Sequence, residues 1–188
     1  MDENKDYLVE LDSKAGDGDL GISMSSGFRA VLVSEAMEET SLKKFFMKAG
    51  MTINEASPSS LGTILFIAIL GGAKAIGDKE ELTVKDSGEF FTACVKAVMG
   101  KTGSKRGEKT ILDSVIPAAD VLLLSEDDLE VAFPNALAAA EQGMQATVKM
   151  QAVHGRAAYY AEKSIGNIDG GAVVGMLIFK AICDYLSK

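Results

Sequence analysis

Val173-Val174-Gly175-Met176-Leu177-Ile178-Phe179 is the one run in the chain that reads alone as a buried strand. Its context favours a helix from Ala172 to Leu186, because no convincing alternation of period two occurs anywhere in the sequence. With that run helical, the whole chain reads as helical. Upstream, Val84, Gly88, Phe91, Cys94, Val95 and Val98 recur every three to four residues, which predicts a helix over 83–99. Phe45, Phe46, Ala49 and Ile53 do the same from Leu42 to about Asn54. Ile64-Leu65-Phe66-Ile67-Ala68-Ile69-Leu70 is a central buried helix, entered through the Ser- and Pro-rich turn 55–63 and ended by Gly71, Gly72 and Gly77.

Further helices are expected over residues 2–11, from the first glycine-rich loop toward Met37, over 110–124 with a break or bend at Pro117, and over 127–152 with Pro134 near its start. Residues 101–109 read as a loop, and 154–171 as a polar, glycine-punctuated stretch. Seven or eight helices joined by short loops predict an all-α antiparallel helical bundle or barrel, and residues 1–188 fit a single domain with one core.

Composition narrows the functional classes. A formal net charge of −8 with no basic cluster argues against nucleic-acid or anionic-membrane partners, so an anionic small molecule would need help from a metal. Cys94 and Cys183 each fall in an apolar helical pattern, and the acidic N-terminus shows no leader, so a cytoplasmic location is expected. The apolar run at 64–70 reaches Lys74 before a membrane span is complete.

The chemistry concentrates in Leu11-Asp12-Ser13-Lys14-Ala15-Gly16-Asp17-Gly18-Asp19-Leu20-Gly21, where three carboxylates are interleaved with glycines. Glycine permits a tight loop with positive φ. Converging carboxylates repel one another and call for a cation; oxygen-only donors favour Mg²⁺ or Ca²⁺. The EF-hand frame is absent, because position 12 counted from Asp12 is Ser23 rather than Glu. Mg²⁺ fits better, and its preference for phosphate oxygens implies a phosphate-bearing partner. A helix starting at the loop's end offers free N-terminal amides to an anion. The alternative is a solvated Asp/Gly turn that caps a helix.

Four segments, in order, resemble the ADP-binding L subunit of dihydroxyacetone kinase (the DhaL family) and the matching domain of ATP-dependent dihydroxyacetone kinases. They are 11–21, Leu61-Gly62-Thr63, Gly107-Glu108-Lys109-Thr110-Ile111-Leu112-Asp113, and Gly155-Arg156-Ala157-Ala158-Tyr159 with Ser164 through Gly171. The resemblance implies an eight-helix antiparallel barrel that holds ADP through two Mg²⁺ bound by Asp12, Asp17 and Asp19. It places Leu20, Gly21, Ile22, Ser23, Ala56 and Ser57 at the phosphates, Ile111 near the base, Arg156 on the nucleotide, and Asp169 and Gly170 at the closing wall.

It further implies a glycerone phosphotransferase subunit. A phosphohistidine protein of the phosphotransferase system would phosphorylate ADP, and dihydroxyacetone on a separate K subunit would accept the phosphoryl group. Assembly as a homodimer or hetero-complex follows, with no catalytic side chain, since phosphoryl transfer rests on positioning and charge neutralisation. Leu20 replaces a histidine usual in the family, and Glu55 adds charge near the phosphates. Both features favour the alternative of a non-catalytic relative that acts as a regulatory or partner-binding protein. His154, the sole histidine, reads as a loop residue, and Lys105, Arg106 and Lys109 as a solvated charge run or an offset to phosphate charge.

Overall fold

The computed structural model describes residues 1–188 and contains eight α-helices, four short 3₁₀ stretches and no strand. The chain divides into two compact units, one of Met1–Leu82 with Ala93–Gly103, the other of Thr83–Thr92 with Ser104–Lys188. The all-α expectation holds, and the ambiguous run at 173–179 lies inside a helix.

In the first unit, α1 (Lys5–Ser13) and α2 (Leu20–Leu32) flank the acidic loop, followed by α3 (Leu42–Ala56), α4 (Ser60–Ile76) and the C-terminal part of α5 (Val84–Thr102). Each consecutive pair from α1 to α4 is packed together. A Cβ on Gly21 would lie 2.0 Å from the Lys5 carbonyl oxygen, so only glycine lets the start of α2 press against α1. Asp2 fastens the N-terminus to α2 by accepting from Ser25 Oγ and Arg29 Nε, both at 2.5 Å, and these bonds hold its carboxyl below the usual range. Leu8, Met24, Ile53, Leu65, Ala73 and Val98 are buried in this unit. Fully burying one such leucine stabilises the fold by about 1.5–3 kcal/mol.

The second unit holds the N-terminal part of α5, α6 (Leu112–Leu124), α7 (Leu129–Ala146) and α8 (Gly170–Leu186), with 3₁₀ stretches at Thr147–Lys149 and Arg156–Ser164. Thr83 and Asp86 form a reciprocal capping box at the start of α5. Asp86 Oδ2 accepts from Thr83 N at 3.0 Å and Thr83 Oγ1 accepts from Asp86 N at 3.2 Å. Phe91 and Phe179 stack with ring centroids 4.5 Å apart, and Val173, Val174 and Phe179 are almost wholly enclosed.

Several boundaries differ from the sequence expectation. The helix after the loop stops at Leu32, with a separate 3₁₀ turn at Glu35–Glu38 that Ser34 caps. Helix α4 runs through Gly71 and Gly72 to Ile76 and ends at Gly77, whose φ is 61°. Gly71 is a packing position, since its Cβ would lie 2.5 Å from Ala97 Cβ. Helix α7 ends at Ala146 rather than 152, while Pro117 and Pro134 lie inside α6 and α7, within the helices expected for them. No helix is long and apolar enough to cross a membrane.

Candidate metal and phosphate site

Asp12 closes α1, and Asp17 and Asp19 lie on the connection to α2. One carboxylate oxygen from each of the three lies within 4.8 Å of the others. The loop is shaped from inside by Asp12, whose Oδ2 accepts from Gly18 N at 2.8 Å and Asp19 N at 3.2 Å. Gly18 adopts φ +75°, where a larger residue would be strained. A Cβ on Gly16 would stand 2.3 Å from Asp12 Oδ1, so the backbone folds directly over that carboxylate. Asp12 is half-buried, whereas Asp17 and Asp19 are exposed. Three hard oxygen donors at this separation, with no His or Cys among them, suit a divalent cation such as Mg²⁺.

Asp19 is also the N-cap of α2. The next three N–H groups, at Leu20, Gly21 and Ile22, have no carbonyl to meet within their own helix and carry its positive dipole end. Ser23 is already committed through its N–H, which donates to Asp19 O at 2.8 Å. Leu20 turns its side chain into the core. This stretch therefore offers backbone donors beside the acidic cluster, an arrangement suited to a phosphate bridged by metal.

Ala56 ends α3, and the following Ser57 is fully buried, its Oγ 3.3 Å from Ser59 Oγ. Ser57 packs against Gly27, about two turns of α2 beyond Leu20.

In the second unit, Ile111, Asp169 and Gly170 come together. Asp169 caps α8 by accepting from Ala172 N at 2.7 Å, and a Cβ on Gly171 would lie 3.0 Å from Asp169 Oδ2 and 3.2 Å from Ile111 N. Arg156 opens the 3₁₀ stretch at 156–164 and is exposed. His154, a loop residue as expected, makes a 2.6 Å contact from Nε2 to Glu108 Oε2.

Asp113, also in this unit, is buried. It folds the 107–113 turn by accepting from Gly107 N at 2.5 Å and Thr110 N at 2.8 Å. Sequence reasoning missed this role, although an aspartate placed three residues after Thr110 is a usual helix-start signal. Cys94 is enclosed and its thiol is pushed up to about 12, so it is inert.

Burial raises the Asp169 carboxyl from 3.8 to about 7; the Ala172 amide and Lys109 oppose that rise. Folded Asp169 therefore keeps a proton that the unfolded chain releases, and folding takes up a proton between those two values. Stability should fall as pH rises from about 4 to about 7, with the full cost present above that. Asp169→Asn keeps a capping oxygen without the charge. Thermal melts from pH 4 to 8 are expected to show a decline in the native protein that the variant flattens by a few degrees. Parallel curves for the two would contradict a half-buried, proton-holding Asp169.

Known proteins resemble this chain in sequence and in fold. Residues 14–184 match the DAK2 domain family. The ADP-binding subunit DhaL of the PEP-dependent dihydroxyacetone kinase of Escherichia coli is 29% identical over 181 residues, covering 94% of this chain and 86% of that protein. Its counterpart in kinase 1 of Listeria innocua is 31% identical, covering 97% and 88%. The crystal structure of the dihydroxyacetone kinase of Citrobacter freundii in complex with AMP-PNP and Mg²⁺ superposes with a TM-score of 0.75 at 21% identity, covering 98% of this chain and 31% of that one. With a family match that spans nearly its whole length, the chain belongs to the DAK2 domain family.

Proposed function

We propose that this protein is the ADP-binding subunit of a dihydroxyacetone kinase, with residues 1–188 serving as one nucleotide-binding domain. It would relay a phosphoryl group from a phosphohistidine protein of the phosphotransferase system to dihydroxyacetone bound on a separate K subunit. The observation that carries the reading is the convergence of Asp12, Asp17 and Asp19 within 4.8 Å beside the first turn of α2. The names of the relatives support the nucleotide, and the structural neighbour from Citrobacter freundii, crystallised with AMP-PNP and Mg²⁺, supports both nucleotide and metal.

When bound, Mg²⁺, two ions by the family resemblance, supplies charge neutralisation for the phosphates. The chain's own contribution is positional. Asp12 holds the loop closed through its two backbone bonds, so Asp17 and Asp19 need little reorganisation to meet a cation. The amides of Leu20, Gly21 and Ile22, with Ser23 at the end of the turn, face an anion with the helix dipole behind them. Ala56 and Ser57 at the phosphates, and Ile111, Arg156, Asp169 and Gly170 on the rest of the nucleotide, are further assignments that rest on the resemblance. No side chain is assigned as a general base, because the transferred group needs alignment more than proton transfer.

The buried side chain of Leu20 favours a second reading. Where the family usually carries histidine, position 20 offers only its backbone amide. A non-catalytic relative, acting as a regulatory or partner-binding protein, would fail to pass phosphate.

Denaturing the purified protein and weighing the released small molecule tests the first reading; ADP is the expected mass. Mg²⁺ and ADP together should also raise the melting temperature more than either alone, by mass action. A protein that releases no nucleotide and shows no joint shift would overturn nucleotide binding. Bound ADP without transfer to dihydroxyacetone, given a K subunit and a phosphohistidine donor, would favour the second reading.

A further inference from the structure

Lys109 stands in a charged stretch of sequence, yet its side chain is buried in the second unit. Its Nζ donates to four backbone carbonyls: Thr147 at 2.9 Å, Met150 at 3.2 Å, Ser164 at 2.8 Å and Asn167 at 2.6 Å. An ammonium has three protons, so four oxygens around it form a coordination shell rather than a one-to-one set of hydrogen bonds. Neutral carbonyls grouped in this way are also how proteins strip the hydration shell from potassium. Lys109 reaches the cage from a left-handed backbone, φ 61°, rare for a side chain of this size.

The cage joins pieces with little other regular structure between them. Thr147 and Met150 follow α7, Ser164 ends the 3₁₀ stretch that Arg156 begins, and Asn167 precedes the Asp169 cap of α8. Bonds around it point the same way. Gly166 N donates to Val148 O at 2.8 Å, Ala152 N to Ser164 Oγ at 2.9 Å, and Asp169 N to Thr147 Oγ1 at 3.1 Å. Without a cation at the centre, four carbonyl dipoles would point at one another. The contacts at Thr147 and Ser164 are buried, and of these two Thr147 O would keep its bond from Met150 N at 3.1 Å, so losing the ammonium is costly.

We propose that the four carbonyls of Thr147, Met150, Ser164 and Asn167 form a monovalent-cation site filled by this chain's own Lys109 ammonium, and that Lys109 is thereby a positioning residue for Arg156 and Asp169. The occupant it replaces is an ion of the size of potassium or ammonium. Smaller ions such as sodium and lithium draw their oxygens closer than the 2.6–3.2 Å found here. The consequence for ligand binding rests on the nucleotide reading above; the cation site does not.

The test is a pair of variants, Lys109→Ala, which empties the cage and leaves space, and Lys109→Met, which refills the stem without charge. Melting temperature and resistance to proteolysis are measured at equal ionic strength with potassium, ammonium, sodium or tetramethylammonium as the sole monovalent cation. Lys109→Ala is expected to recover at least half of its lost melting temperature in potassium or ammonium but not in sodium or tetramethylammonium. The native protein and Lys109→Met should show no such selectivity. Should Lys109→Ala not fold in tetramethylammonium, its soluble yield on refolding is the readout, and potassium or ammonium should restore it.

Equal behaviour of Lys109→Ala in all four cations, whether in melting or in refolding yield, would overturn the proposal. ADP affinity measured alongside should drop at least 10-fold in Lys109→Ala and return with the same two cations. Recovery of melting without recovery of ADP affinity would keep the cation site and reject the positioning role. A native protein that binds no ADP would reject the nucleotide reading and leave the melting result standing.

Discussion

Asp17→Asn should lose affinity for ADP with Mg²⁺ by on the order of 100-fold or more while the ligand-free protein stays as stable as before or gains slightly. The size follows from the role assigned: removing a partner that only orients a metal ligand already costs about 10–100-fold, and a ligand itself costs more. The opposite sign in the ligand-free protein follows from electrostatics. Asp17 lies within 4.8 Å of two other carboxylates. Like charges about 4 Å apart repel by roughly 1 kcal/mol in water-like surroundings, and the substitution relieves part of that.

Asp12→Asn makes a useful contrast. Asparagine keeps an oxygen to accept from Gly18 N and Asp19 N, so the loop should close while one charge is lost. Calorimetric titration of ADP with and without Mg²⁺, beside melts of the ligand-free variants, checks both. The decisive pattern is a lost ligand response with an unchanged or raised melting temperature. If both variants bind ADP as the native protein does, the three aspartates form a turn and nothing more.

What the sequence reveals and conceals divides along physical lines. The periodic apolar sets of α3 and α5 are legible because one buried face imposes its spacing on the residues. The acidic loop is legible because its donors are neighbours in the chain. Glycine misleads in one place: Gly71 and Gly72 read as a stop, yet Gly71 is where Ala97 comes closest. Glycine lowers helix propensity, and tertiary packing overrides that here. The same ambiguity runs the other way at the end of α7, where alanine-rich composition extends the expected helix past Thr147, a fully buried residue whose carbonyl belongs to the Lys109 cage.

Lys109 itself is out of reach, because its four partners are backbone atoms 38 to 58 residues away and leave no mark on side-chain pattern. Ile111, Arg156 and Asp169 are likewise placed by resemblance rather than by spacing. The 3₁₀ stretch that carries Arg156 kinks at Ala161 and buries only Ser164, so no buried face imprints a core pattern on it.

Gly143→Val is expected to destabilise the protein by about 3 kcal/mol or more, at or above the upper end for an overpacked core position. Gly143 lies on α7 facing the start of α6, where an added Cβ would stand 2.0 Å from Asp113 O and 3.0 Å from Pro117 Cγ. Neither neighbour yields cheaply. The Asp113 carbonyl is backbone, on a residue whose carboxylate closes the 107–113 turn, and a proline ring has no rotamer to escape into. The strain should therefore separate α6 from α7 rather than dissipate locally, and the second unit would loosen with it.

Gly100→Ala is the matched control. Gly100 is helical in α5 with nothing within 4 Å of its virtual Cβ, so alanine should raise stability by about 0.5–1 kcal/mol through helix propensity alone. Urea unfolding of both variants, compared by midpoint at unchanged slope, reads the two effects with opposite signs. A Gly143→Val protein with the native midpoint would mean that α6 and α7 do not pack through Asp113 as described, and the turn that presents Ile111 would need another support.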